Sequence, residues 1–135
     1  MNKSKIKLGR PPLADTILII EEDRVLADLL KLSLGGHGFT VETTHQSSMV
    51  SDLIKEFNPL VVVFDLFLSG IDGILFLEKL NEAGKLDKRK VIIISALGFK
   101  EVIQQAVDLG AVDFVIKPID SNLLIQKILN WAEQA

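Results

Sequence analysis

Cysteine is absent from this chain, which excludes disulfides, thiolate metal sites and cysteine nucleophiles. That absence suits a reducing compartment, and a cytoplasmic location is the expectation. No apolar stretch approaches the roughly 18 residues a membrane helix needs, so no membrane contact is expected. The first thirteen residues lack the hydrophobic centre of a secretory signal. There is no internal repeat and no sign of a second domain. No glycine-rich phosphate loop follows the first apolar run; Glu21 and Glu22 stand there and would repel an anion. Positive charge is unevenly spread. The net charge is −3, yet Lys3, Lys5, Lys7 and Arg10 crowd the start. Residues 1–14 therefore read as a flexible basic tail on an acidic body spanning residues 15–135. Such a tail touches nucleic acid or an acidic partner, or merely solubilises the chain up to Pro11 and Pro12. Four charges without aromatics make a poor nucleic-acid signature, and no direct nucleic-acid binding is expected.

What is present is apolar. Hydrophobic residues make up 48% of the 135, enough for one domain with a sizeable core. The most apolar run, Leu60 to Phe64, follows the breaker pair Asn58-Pro59 and ends in Asp65. Five such residues, rich in valine, read as a strand buried on both faces. A carboxylate at its end is either a site residue or the cap of the next loop, because burial would otherwise discharge it.

The rest of the chain alternates around that strand. Thr16 to Ile20 is a first buried strand, and from Arg24 the period changes to helical, with Leu26, Leu29, Leu30 and Ser33 on one side and Gly35-Gly36 as the stop. Phe39 to Thr44 is β-branched and alternating. Ser47 or Ser48 is the expected cap of a helix carrying Val50, Leu53, Ile54 and Phe57 inward, with Met49 also assigned to the core. A third helix is expected from about Gly73 to Ala83, then a polar connection to Lys90 and a buried strand, Val91 to Ile94, ending at Ser95. Phe99, Val102, Ile103, Ala106 and Val107 form the stripe of a fourth helix stopped at Gly110. Phe114 to Ile116 is a fifth strand closed by Lys117-Pro118, and Asp120 or Ser121 caps a last helix with Leu124, Ile125, Ile128, Leu129 and Ala132 inward. Trp131 falls at the margin of that stripe, as rim packing or part of a partner face. Five strands alternating with five helices require a doubly wound parallel α/β sheet. Right-handed crossovers leave few topologies, and the expected one, strand order 2-1-3-4-5, has its switch point between strands one and three.

The carboxyl ends of those strands supply Glu21 and Glu22, Asp65, Ser95 and Lys117. Three carboxylates at one edge repel each other unless a hard cation joins them, and oxygen ligands suit Mg²⁺. A lysine and a hydroxyl opposite would serve a phosphoryl group as counter-charge and donor. A carboxylate between the two can act as nucleophile. His37 and His45 lie beside turns, away from the strand ends in this topology, and read as exposed rather than catalytic.

Four segments in this order, Ile19-Ile20-Glu21-Glu22-Asp23, Val62 to Gly73 around Asp65, Ile92-Ile93-Ile94-Ser95-Ala96, and Asp113-Phe114-Val115-Ile116-Lys117-Pro118, resemble the receiver domains of two-component response regulators. The resemblance covers residues 16–132. It implies a flavodoxin-like (βα)5 fold and a non-enzymatic signalling domain, phosphorylated on Asp65 by a histidine kinase, a phosphotransfer protein or a small phosphodonor. It implies Mg²⁺ bound by Glu21, Glu22, Asp65 and the Phe67 carbonyl. Ser95, the Ala96 N–H and Lys117 would bind the phosphoryl oxygens, Ser95 and Phe114 would be the switch pair, and the Lys117-Pro118 peptide would be cis. Output would come from a downstream protein target or a separate output domain, with a homodimer through the fourth helix, fifth strand and fifth helix among the partners implied. Phe67 and Leu97 would flank the path of the hydrolytic water, where bulky apolar side chains favour slow self-dephosphorylation.

Two residues depart from that pattern. Glu22 stands where the family has Asp, so weak or water-mediated Mg²⁺ binding is expected. Ser69 replaces a proline, which would leave the loop looser. A degenerate receiver that binds partners without phosphorylation is therefore the competing reading. A small flavodoxin-like enzyme or nucleotide binder is disfavoured by the missing phosphate loop.

Overall fold

The computed structural model describes residues 15–134. The expected basic tail, residues 1–14, lies outside the described residues. Five strands alternate with five helices: β1 Thr16–Ile20, α1 Arg24–Gly35, β2 Thr40–Thr44, α2 Ser47–Phe57, β3 Val61–Asp65, α3 Gly73–Glu82, β4 Lys90–Ser95, α4 Lys100–Asp108, β5 Ala111–Ile116 and α5 Ser121–Glu133. All pairings are parallel and the sheet order is β2-β1-β3-β4-β5, the 2-1-3-4-5 arrangement expected.

The continuous apolar runs are explained by helices on both faces. Alternate residues Ile17, Ile19, Val61, Val63, Ile92 and Ile94 pack with Leu30 and Leu34 of α1 and Leu124 and Ile128 of α5. Their neighbours Leu18, Ile20, Val62, Phe64, Val91 and Ile93 pack with Val50 and Ile54 of α2, Leu77 and Leu80 of α3 and Ala106 of α4. Each fully buried Leu, Ile or Phe among them contributes about 2 kcal/mol. β1, β3 and β4 are thus rigid posts whose carboxyl ends are fixed relative to one another.

Several helix faces are rotated from the expected stripes. In α1 the buried residues are Ala27, Leu30 and Leu34, whereas Leu29 is exposed and Ser33 half-buried. The small Ala27 is what lets the helix approach the sheet, and counting only large apolar side chains missed it. Met49 is exposed rather than core, since Val50 and Ile54 already fill the α2 contact. Phe99 and Val107 are exposed as well, leaving Ala106 as the buried residue of α4. The α2 cap is Gln46, without a side-chain cap bond; neither Ser47 nor Ser48 caps it. Thr44 Oγ1 instead accepts from the Gln46 N–H and turns the chain. Asp120 caps α5 as expected, accepting from the Asn122 and Leu123 N–H groups.

One glycine fixes the loop after β3. A Cβ on Gly73 would collide with the Leu66 backbone, so α3 can begin beside the end of β3 only with glycine there.

Candidate functional site

The site grows out of the ends of three strands. Asp65, the last residue of β3, is 1% exposed; its Oδ1 accepts from the Phe67 N–H at 2.8 Å and its Oδ2 from Lys117 Nζ at 2.8 Å. Glu21, just past β1, is equally buried, and Lys117 just past β5 reaches across to it, Nζ to Oε1, at 2.9 Å. That contact is an ion pair without hydrogen-bond alignment, and Oε1 is left with no hydrogen-bond partner. The other oxygen, Oε2, accepts from the Asp23 N–H at 2.9 Å. One ammonium therefore serves two buried carboxylates. A cavity of 320 Å³ opens over them, lined by Glu21, Glu22, Asp23, Asp65, Phe67, Ala96 and Lys117.

The electrostatics follow from this crowding. Burial raises the Glu21 pKa, and the Asp65 carboxylate adds to the rise, while the Asp23 N–H and Lys117 oppose it. Burial works against the Lys117 ammonium, but its hydrogen bond to Asp65 and its ion pair with Glu21 prevail and hold its pKa above the ordinary value. Glu22 is exposed and lies outside the carboxylate pair. Its oxygens accept from the Ser69 N–H at 2.7 Å and the Ser69 hydroxyl at 2.9 Å, which lowers its pKa.

The three acidic side chains therefore do not converge as expected. Among the described residues, no three acidic or histidine side chains are grouped to hold a metal. Glu21 and Asp65 fit a hard cation, because a buried oxygen held by an ion pair alone and excess negative charge line one cavity. Glu22 also lines that cavity but is turned away from the pair, its carboxylate reaching past that position to Ser69. The loop expected to be loose is thus tied down, by the residue that replaces proline.

Ser95 is fully buried at the end of β4, and its hydroxyl accepts from the Leu97 N–H at 3.0 Å rather than lining the cavity; Ala96 takes that place. Phe114, half-buried, packs against the core cluster shared with α3 and α4. The Lys117-Pro118 peptide is cis. His37 is exposed, with Nδ1 3.0 Å from the Ser33 carbonyl. His45 directly follows β2, so it is at the same sheet edge after all. Asp23 was missed as a site residue. It caps α1 through the Val25 and Leu26 N–H groups while its own N–H holds Glu21, and an acid immediately before a helical period was the available signal.

Residues 17–129 match the family model described as the response regulator receiver domain. The chain belongs to this receiver family. Curated relatives include a protein-glutamate methylesterase/protein-glutamine glutaminase of Yersinia pestis bv. Antiqua, 34% identical over 106 residues. That match covers 76% of this chain and 30% of the relative, and one of the same name from Photorhabdus laumondii gives the same figures over 107 residues. The receiver thus spans under a third of the length of these relatives. Among solved structures, the signal receiver domain of a DNA binding response regulator from Colwellia psychrerythraea 34H superposes with a TM-score of 0.79 at 27% identity, covering 89% of this chain and 99% of that one. A CheY-like response regulator receiver domain protein from Methanospirillum hungatei JF-1 superposes at 0.78 and 25% identity, covering 90% and 95%. Receivers are signalling domains of two-component systems, and this receiver has their five-stranded architecture throughout.

Proposed function

We propose that this receiver is a phosphoacceptor, taking a phosphoryl group on Asp65 from a histidine kinase or a phosphotransfer protein in the cytoplasm. The carrying observation is the pairing of two buried carboxylates with one lysine beneath an open cavity. An Asp65 oxygen attacks the phosphorus of a phosphohistidine, the phosphorus–nitrogen bond breaks, and the imidazole leaves with the bonding pair and takes up a proton. Lys117 already lies on Asp65 Oδ2 and would follow the charge to a phosphoryl oxygen, with the Ser95 hydroxyl and the Ala96 N–H as further donors. Mg²⁺ would be held by Glu21, Asp65 and the Phe67 carbonyl, with Glu22 as a further ligand, and supplies charge neutralisation when bound.

Ser95 moving toward the phosphoryl group would leave Leu97 and make room for Phe114, biasing the surface of α4, β5 and α5. Phe99, Val107, Ile116 and Leu123 are exposed apolar residues of that region, suited to a downstream target, a separate output domain or a second copy of the chain. On this reading residues 15–135 form a signalling domain rather than an enzyme, and the esterase chemistry named for the longer relatives belongs to those proteins. Residues 1–14 would be a basic tail.

Intact mass after incubation with a small phosphodonor and Mg²⁺ tests the proposal. A single phosphoryl adduct is expected in the wild type and none in Asp65→Asn. No adduct in the wild type would favour a fixed interaction module, the second reading, which the diversion of Glu22 to Ser69 supports. Phe67 and Leu97 bring no hydrogen-bonding group to orient a hydrolytic water. The phosphoryl group should therefore be lost slowly, and Phe67→Asn/Leu97→Glu should shorten its lifetime about tenfold, the equivalent of 1.4 kcal/mol in the barrier. Equal decay in both proteins would remove these side chains as the obstacle.

A further inference from the structure

The two residues that depart from the receiver pattern are bonded to each other. Glu22 Oε2 accepts from the Ser69 N–H and Glu22 Oε1 from the Ser69 hydroxyl, across 47 residues of sequence. A proline at position 69 would offer neither donor, having no N–H and no hydroxyl. An aspartate at position 22 would be one methylene too short for the same forked reach. The β1–α1 turn is thereby tied to the β3–α3 loop by charge-assisted hydrogen bonds. Meanwhile Glu21 Oε1 stays buried without a hydrogen-bond partner at the rim of the same cavity.

We propose that Ser69 is a positioning residue acting through Glu22. It holds the Glu22 carboxylate away from the cation position at Glu21 and Asp65, so that metal entry and release of the β3–α3 loop are one exchange. Glu22 is either on Ser69 or on the metal. By linkage, the factor by which the Ser69 contact weakens metal binding is the factor by which bound metal weakens that contact. The substitution of Glu for Asp and of Ser for Pro is then one device rather than two defects. It sets the Mg²⁺ concentration at which the site loads. This inference rests on the metal reading given under the proposed function.

The test is a double-mutant cycle on Mg²⁺ affinity by isothermal titration calorimetry, read together with the Ser69 amide proton by NMR. Ser69→Pro should tighten Mg²⁺ about five- to tenfold and Ser69→Ala, which keeps the N–H, about twofold, as expected for removing competing hydrogen bonds at an exposed position. In a Glu22→Ala background Ser69→Pro should change nothing. The Ser69 amide resonance should lie far downfield in the metal-free wild type and move upfield on saturation with Mg²⁺. In Glu22→Ala it should start upfield and stay there. A residue that merely braced the loop would not couple its amide to the metal. Equal tightening in both backgrounds, or a Ser69 resonance that ignores Mg²⁺, overturns the exchange while leaving the metal site standing. Absence of Mg²⁺ binding in every variant overturns the metal reading and this inference with it. If Ser69→Pro does not fold, Ser69→Ala and the amide resonance decide the matter.

Discussion

At the carboxyl edge of the sheet one ammonium, Lys117, serves two buried carboxylates, Glu21 and Asp65. At the β5–α5 seam one carboxylate, Asp113, gathers three donor groups: the Phe114 N–H at 2.9 Å, Lys127 Nζ at 3.1 Å and Trp131 Nε1 at 3.1 Å. Lys90 Nζ sits 5.6 Å above the Trp131 ring and closes that cluster from the other side. The seam is saturated and holds two elements together. The edge is short of donors and positive charge, and a buried oxygen of Glu21 goes without a hydrogen bond. Ion pairs alone therefore do not distinguish a structural cluster from a site; the balance of donors to acceptors does.

Three perturbations would sharpen or break this contrast. The largest effect should come from Lys117→Met, which strands two buried carboxylates. Urea unfolding in metal-free buffer should show a loss of about 3 kcal/mol, at the low end for a broken buried pair because the lysine is a quarter exposed. Mg²⁺ should recover part of that loss, and a variant as stable as wild type would dissolve the contrast. Next, Asp113→Ala should cost about 1 kcal/mol in the same measurement, since the seam is partly solvated but the indole N–H loses its acceptor. Mg²⁺ should not restore it.

The smallest effect, and the most diagnostic, is the response to acid. Asp113 has its pKa lowered below 3.8, because Trp131 and Lys127 outweigh the opposing effect of burial. Its stabilisation is present above pH 3.8 and is lost as the pH falls through the depressed folded value. Glu21 behaves oppositely. With a folded pKa raised above 4.5, its favourable contribution is complete below 4.5 and disappears as the pH rises through the folded value. Melting temperatures from about pH 7 to about pH 2 should show Asp113→Asn losing less stability in acid than wild type, and Glu21→Gln losing more. The same direction of change in both variants would mean that the two clusters are alike.

The sequence by itself determined the sheet and which residues stand at its strand ends. Unbroken Val and Ile runs can be satisfied only by a sheet covered on both faces, and crossover handedness leaves few ways to wind it. Strand ends are set by where those runs stop, so Glu21, Asp65, Ser95 and Lys117 were bound to share one edge. The tertiary structure alone decided which face each helix turns inward and where each carboxylate points. Ala27 replaced Leu29 at the α1 contact, and Met49 and Phe99 were left in solvent, because the fit to a neighbouring element depends on volumes that periodicity does not encode. Glu22 went to Ser69 and not to Asp65 for a related reason: its partner lies 47 residues away, and the choice turns on one methylene and on whether a backbone N–H is there to receive it.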